Sequence, residues 1–145
     1  MTNDGITITV EENFSKSIEK VWKAITELDL MKQWFFENIP SFEPKVGFST
    51  KFNVQAETRS FMHLWKIIEV IPNQKIVYNW KYEEYVGDGN VIFELSKTID
   101  GTKLKVTSIV LKSYPKDIPE FTSESCQNGW NYFIKLRLKQ FIDTQ

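Results

Sequence analysis

One cysteine and one histidine occur in 145 residues, and prolines and glycines number only five and six. A lone thiol has no partner within the chain, so an internal disulfide is excluded, and the reading that follows is a reducing, cytoplasmic compartment. His63 and Cys126 lie far apart and no paired-carboxylate motif accompanies them, so no metal-ligand set and no cofactor motif is recognisable. Neither sign of charge dominates, with 18 basic and 19 acidic residues. That balance excludes the strong field needed to hold nucleic acid or an anionic membrane surface. No apolar run approaches the length of a membrane span, and Met1 to Gly5 lack the basic region and apolar core of a secretory signal. The expectation is a soluble, unprocessed chain.

Aromatic side chains are what the sequence has in quantity: 11 Phe, 5 Trp and 5 Tyr. Rings in such number need a generous core or a cavity to line. The length fits a single domain over residues 1–145, able to bury roughly two-thirds of its unfolded surface.

Hydrophobic period sets the order of elements. Ile6 to Val10 alternates as a strand with one buried face, and the alternation persists to Phe14. Ser15 or Ser17 can cap a short helix that turns Ile18, Val21, Trp22, Ile25 and Leu28 inward, and Asp29 offers the cap of a second, carrying Leu30, Met31, Trp34 and Phe35 until Pro40 stops it. From Val46 the period is two, with Val46, Phe48, Phe52 and Val54 on one side. A long strand spans Arg59 to Ile71, Pro72-Asn73 turns into Lys75 to Tyr82, and Gly87-Asp88-Gly89-Asn90 turns into Val91 to Lys97. Asp100-Gly101 predicts a type I′ hairpin into a last strand whose Leu104, Val106, Ser108 and Val110 face one way. Asp117, with Glu120 three residues on, predicts the cap of a long final helix. There Trp130, Phe133, Ile134, Leu138 and Phe141 share one face. Gly129 inside that helix weakens it by about 1 kcal/mol relative to alanine, and close approach of helix to sheet is the expected reason.

This order, with its motifs, resembles the helix-grip fold of the START and Bet v 1-like superfamily, and within it the domains homologous to the activator of the Hsp90 ATPase. The resemblance is carried by Val21-Trp22 and Thr26, Trp34-Phe35, Val46-Gly47-Phe48, Val70 and Pro72, Tyr78 and Trp80, Gly101-Thr102, and Gly129-Trp130 through Leu138, and it spans almost the whole chain. It implies an α+β fold in which a curved six-stranded antiparallel sheet wraps the long C-terminal helix, with two short helices between strands 1 and 2. It also implies a cavity between sheet and helix, and ligands that are apolar or amphipathic. A chaperone is the alternative partner, although the eukaryotic activators carry an additional N-terminal domain that this sequence does not show. A cyclase-like enzyme is the third reading.

The candidate ligand-binding residues are Phe48, Phe52, Tyr78, Trp80, Phe93, Trp130, Phe133 and Ile134, with Trp34 and Phe35 near the mouth. Large rings equally well fill the space they enclose, so packing is the competing role. Tyr78 is the expected polar handle. His63 reads as a half-exposed strand residue with no local partner for a catalytic dyad, Cys126 as an inert packed thiol, and Arg137 as a stem along apolar surface or a partner for a ligand carboxylate. No catalytic residue is assigned. An exposed sheet edge is compatible with a monomer or a homodimer.

Overall fold

Alternation in Thr7–Phe14 puts Ile8, Val10 and Phe14 on the buried side of strand β1. The chain then turns into helix α1 (Ile18–Thr26), where the Ser17 hydroxyl accepts the Lys20 N–H at 3.2 Å. Helix α2 (Leu28–Trp34) follows across Glu27, and Asp29 sits in its first turn instead of capping it. The computed structural model describes residues 6–145, so the reading of Met1 to Gly5 lies outside the described residues. Five strands follow: β2 (Ser49–Ala56), β3 (Arg59–Ile71), β4 (Lys75–Tyr82), β5 (Tyr85–Lys97) and β6 (Thr102–Lys112). They form one antiparallel sheet in the order β1-β6-β5-β4-β3-β2, curved around the C-terminal helix. That helix, α3, runs through Ser123–Trp130, a π-helical stretch Asn131–Leu138, and Lys139–Asp143. The architecture is the α+β helix-grip with two short helices between the first two strands.

Local chemistry moves several boundaries away from their predicted places. Val46 is exposed and precedes β2. Gly47 at φ 93° makes the turn there, and its N–H reaches the Ile67 carbonyl at 2.8 Å. The β4–β5 turn is Glu83-Glu84, so the Gly87 to Asn90 segment lies inside β5, with a bulge at Asp88/Gly89. The reason is Tyr114, whose ring covers these glycines: a Cβ at Gly87 would stand 2.2 Å from its Cδ1. The β5–β6 hairpin uses a four-residue loop, Thr98 to Gly101, with Lys97 paired to Thr102, and Asp100 does not take positive φ. Thr122, not Asp117, caps α3, its Oγ1 accepting the Ser125 N–H at 3.1 Å. Ile142, not Phe141, is the fully buried residue of the last turn, because the π-helical winding shifts the inward face.

Gly101 is where close approach decides the residue type. The Thr102 hydroxyl donates to the Lys16 carbonyl at 2.8 Å, tying the hairpin to the end of β1, and a Cβ on Gly101 would fall 2.1 Å from the Phe14 carbonyl oxygen. Gly101→Ala is expected to destabilise the fold by roughly 2 kcal/mol, read as a lowered midpoint in urea or thermal denaturation.

Candidate functional site

The sheet and α3 do not close completely. Between the first half of α3 and the β4–β5 end of the sheet lies a cavity of about 440 Å³. Strand alternation delivers its floor: Phe61 and His63 from β3, Trp80 and Tyr82 from β4, Gly89 and Val91 from β5, and Ser108 and Val110 from β6. Cys126, Gly129, Trp130 and Phe133 of α3 form the roof, and Tyr114, Glu120 and Phe121 stand at one side. Phe35 breaks α2 with φ −103° and ψ −129°, and the turn sends Phe35 and Phe36 into the cavity. Their rings lie 5.0 Å from Phe133, Phe35 edge-on to it.

Of the ten candidate residues, the structure brings Phe35, Trp80, Trp130 and Phe133 together on this wall. The other six are packed behind it or at the filled end of the grip. Trp34 lies under Phe35, stacked at 4.6 Å, with its Nε1–H donating to the Ala24 carbonyl at 2.8 Å. Phe52 stacks behind His63 at 5.0 Å. Phe48 and Tyr78 pack against Phe42 at 5.9 and 5.8 Å, and Phe93 lies beyond, 5.6 Å from Tyr78. Ile134 is wholly buried in the core. Tyr78 is sealed there, and burial pushes its hydroxyl pKa up.

Polar groups on the wall come from residues the sequence reading weighed otherwise. His63 is buried, not half-exposed, and loss of water pushes its pKa down to about 4, so the ring is neutral near pH 7. A signal was present: Phe61, His63, Trp65 and Ile67 share one strand face by the period of two, and the other three are large hydrophobic residues. Phe36, Phe61, Tyr82 and Phe121 were also missed, although Phe61 and Tyr82 follow from the same alternation. Tyr82 Oη accepts from Trp80 Nε1 at 2.9 Å, and the Tyr114 hydroxyl donates to the Trp80 carbonyl at 2.8 Å. Burial raises the pKa of both phenols and of the Cys126 thiol. The thiol is therefore not activated, and its Sγ lies 3.7 Å from the Glu120 carbonyl oxygen.

The Glu120 carboxylate turns to Arg59, at 2.8 and 3.2 Å, and that hydrogen-bonded guanidinium holds its pKa below the usual range. Arg137 does not reach the cavity; it donates to the Gln33 carbonyl at 2.9 Å and to the Tyr132 hydroxyl at 3.2 Å. Gly129 overturns its predicted role, since a Cβ there would meet nothing within 4 Å. It opens space where close packing was expected. Among the described residues no three potential metal ligands cluster, and no helix is long and apolar enough to cross a membrane.

The family model described as Activator of Hsp90 ATPase homolog 1-like protein matches residues 15–143, from the end of β1 to the end of α3. The chain belongs to this family. With it comes membership of the START and Bet v 1-like superfamily. Among solved structures, this chain is similar to protein CV1439 from Chromobacterium violaceum, with 20% identity, a TM-score of 0.78 and coverage of 94% of this chain and 97% of that one. It is similar to protein MLL2253 from Mesorhizobium loti at 26% identity and TM-score 0.73, over 96% and 98% of the two chains. A third similar structure is DynU16, a protein in the dynemicin biosynthetic locus, at 20% identity and TM-score 0.74, over 95% of this chain and 47% of that one. The likeness to CV1439 and DynU16 is one of fold. No curated protein matches the sequence.

Proposed function

We propose that this chain binds one small apolar or amphipathic molecule in the cavity between the sheet and the C-terminal helix, acting as a carrier or sensor. The observation that carries the reading is the cavity itself, about 440 Å³ walled by Phe35, Phe36, Trp80, Trp130 and Phe133. That volume lies within the range of small-molecule pockets, whose walls are mostly apolar with a few oriented polar groups. A guest that fills an apolar space of this size gains dispersion contacts with its walls. Native mass spectrometry of the purified protein, followed by organic extraction, is expected to show an adduct that extraction removes. The absence of any adduct, together with no uptake from a panel of aromatic and lipid compounds, would sink the idea.

The family description supplies a second reading, docking to an Hsp90-type chaperone through this domain. Titrating the protein into an Hsp90 ATPase assay separates the two, because a carrier leaves the rate unchanged.

A further inference from the structure

Two groups on the cavity wall keep hydrogen-bonding capacity that the protein does not use. His63 is held between the rings of Phe52 at 5.0 Å, Phe36 at 5.1 Å and Tyr82 at 4.9 Å. Its Nδ1 lies 2.9 Å from the Phe61 carbonyl oxygen. A carbonyl only accepts, so Nδ1 carries the proton of the neutral ring, and Nε2 is left as a bare acceptor. No hydrogen bond among the described residues engages Nε2. Trp65 Nε1 is the one fully buried side-chain nitrogen or oxygen there without a partner, so Nε2 borders accessible space, which at this residue is the cavity.

Tyr82 supplies the complementary group. Its Oη accepts from Trp80 Nε1 at 2.9 Å, which leaves the phenolic proton to donate. Tyr114 is already committed as a donor to the Trp80 carbonyl. An acceptor and a donor therefore stand side by side in an otherwise apolar enclosure. Glu120 is the one charged residue lining the cavity among the described residues, and its carboxylate is held by Arg59. No cation faces inward.

We propose that the molecule held in the cavity is a neutral hydroxylated aromatic compound whose hydroxyl donates to His63 Nε2 and accepts from Tyr82 Oη. The inference rests on the ligand-binding reading above and narrows it to a chemical class. One hydroxyl is both donor and acceptor, so it satisfies both protein groups at once. A carboxylate brings no proton for Nε2 and loses its hydration with no opposite charge to replace it. An ether or hydrocarbon leaves Nε2 buried and unpaired, a penalty that sites built for a hydroxyl use to reject such analogues.

Calorimetric titration of the wild-type protein near neutral pH with naphthol, its methyl ether and naphthoate tests this without any variant. Naphthol is expected to bind about tenfold more tightly than the ether, the value of one hydrogen bond to a buried acceptor, with naphthoate weakest. His63→Phe should collapse the difference between naphthol and its ether, because naphthol loses its acceptor and the ether no longer leaves one unpaired, while His63→Gln, which retains an acceptor, keeps part of the difference. Equal affinities for naphthol and ether, or tightest binding of naphthoate, overturn the hydroxyl inference and leave cavity binding standing. If none of the three binds, and the purified protein carries no extractable adduct, both readings fall.

Discussion

Gly129→Phe is expected to abolish ligand binding while leaving the protein at least as stable as the wild type. Position 129 lies on the cavity roof, and a Cβ added there meets no atom within 4 Å, so a ring projects into the space a guest would occupy. Glycine within a helix is less stable than alanine by about 1 kcal/mol, and a substitution that clashes with nothing recovers part of that. Filling an apolar cavity adds dispersion contacts as well. Gly129→Ala is the matched control, expected to raise stability by up to about 1 kcal/mol while retaining binding. Thermal denaturation paired with calorimetric titration of naphthol separates this role from the alternative. Were the glycine needed for helix and sheet to approach, both variants would instead lose stability.

Acid is expected to weaken the fold from about pH 6.5 downward, and His63 is the cause. Its pKa is about 4 in the folded protein against an ordinary 6.5, and burial is the main reason. Between those values the unfolded chain binds a proton that the folded chain refuses, so stability is complete above about pH 6.5, falls as the pH is lowered and levels off below about 4. At 1.36 kcal/mol per pH unit the full loss is roughly 3 kcal/mol. The groups facing the ring are the neutral Tyr82 hydroxyl and the Glu84 carboxylate, whose attraction for the charged form is the smallest contribution. Glu11 and Glu120 have lowered pKa values, so their contributions are present above 4.5 and vanish only as the pH drops further. Urea denaturation at stepped pH should show the decline between pH 6.5 and 4.5, and His63→Gln should flatten it. A wild-type profile flat over that interval would show that the ring is not desolvated.

The strands and their order were legible because period two survives in short runs: β3 occupies Arg59–Ile71 as the alternation predicts, and Ser17 caps α1 as its hydroxyl suggests. The misplaced β4–β5 turn has its origin far along the chain. Gly87 and Gly89 carry the signature of a turn, yet their lack of side chains serves a ring 27 and 25 residues further along the chain, Tyr114, which no local rule brings to them. The candidate site divided along a boundary that residue type does not record. Trp80 and Tyr78 occupy the same face of β4, and only their distance along the strand from the β4–β5 turn puts one on the cavity and the other in solid core. His63 is readable from its strand neighbours, whereas its residue type alone does not decide, because histidine is intermediate in burial.

The π-helical stretch gives α3 a property that the family resemblance does not. Its buried residues are Trp130, Ile134, Leu138 and Ile142, a strict repeat of four. In an ordinary α-helix of 3.6 residues per turn such a repeat drifts sideways by about 40° at each step, and after three steps the last residue would point well away from the first. Winding more loosely through Asn131–Leu138 cancels that drift. The seam therefore runs straight along the axis, and one unbroken line of side chains passes from the ligand space at Trp130 to the solid end of the sheet at Ile142.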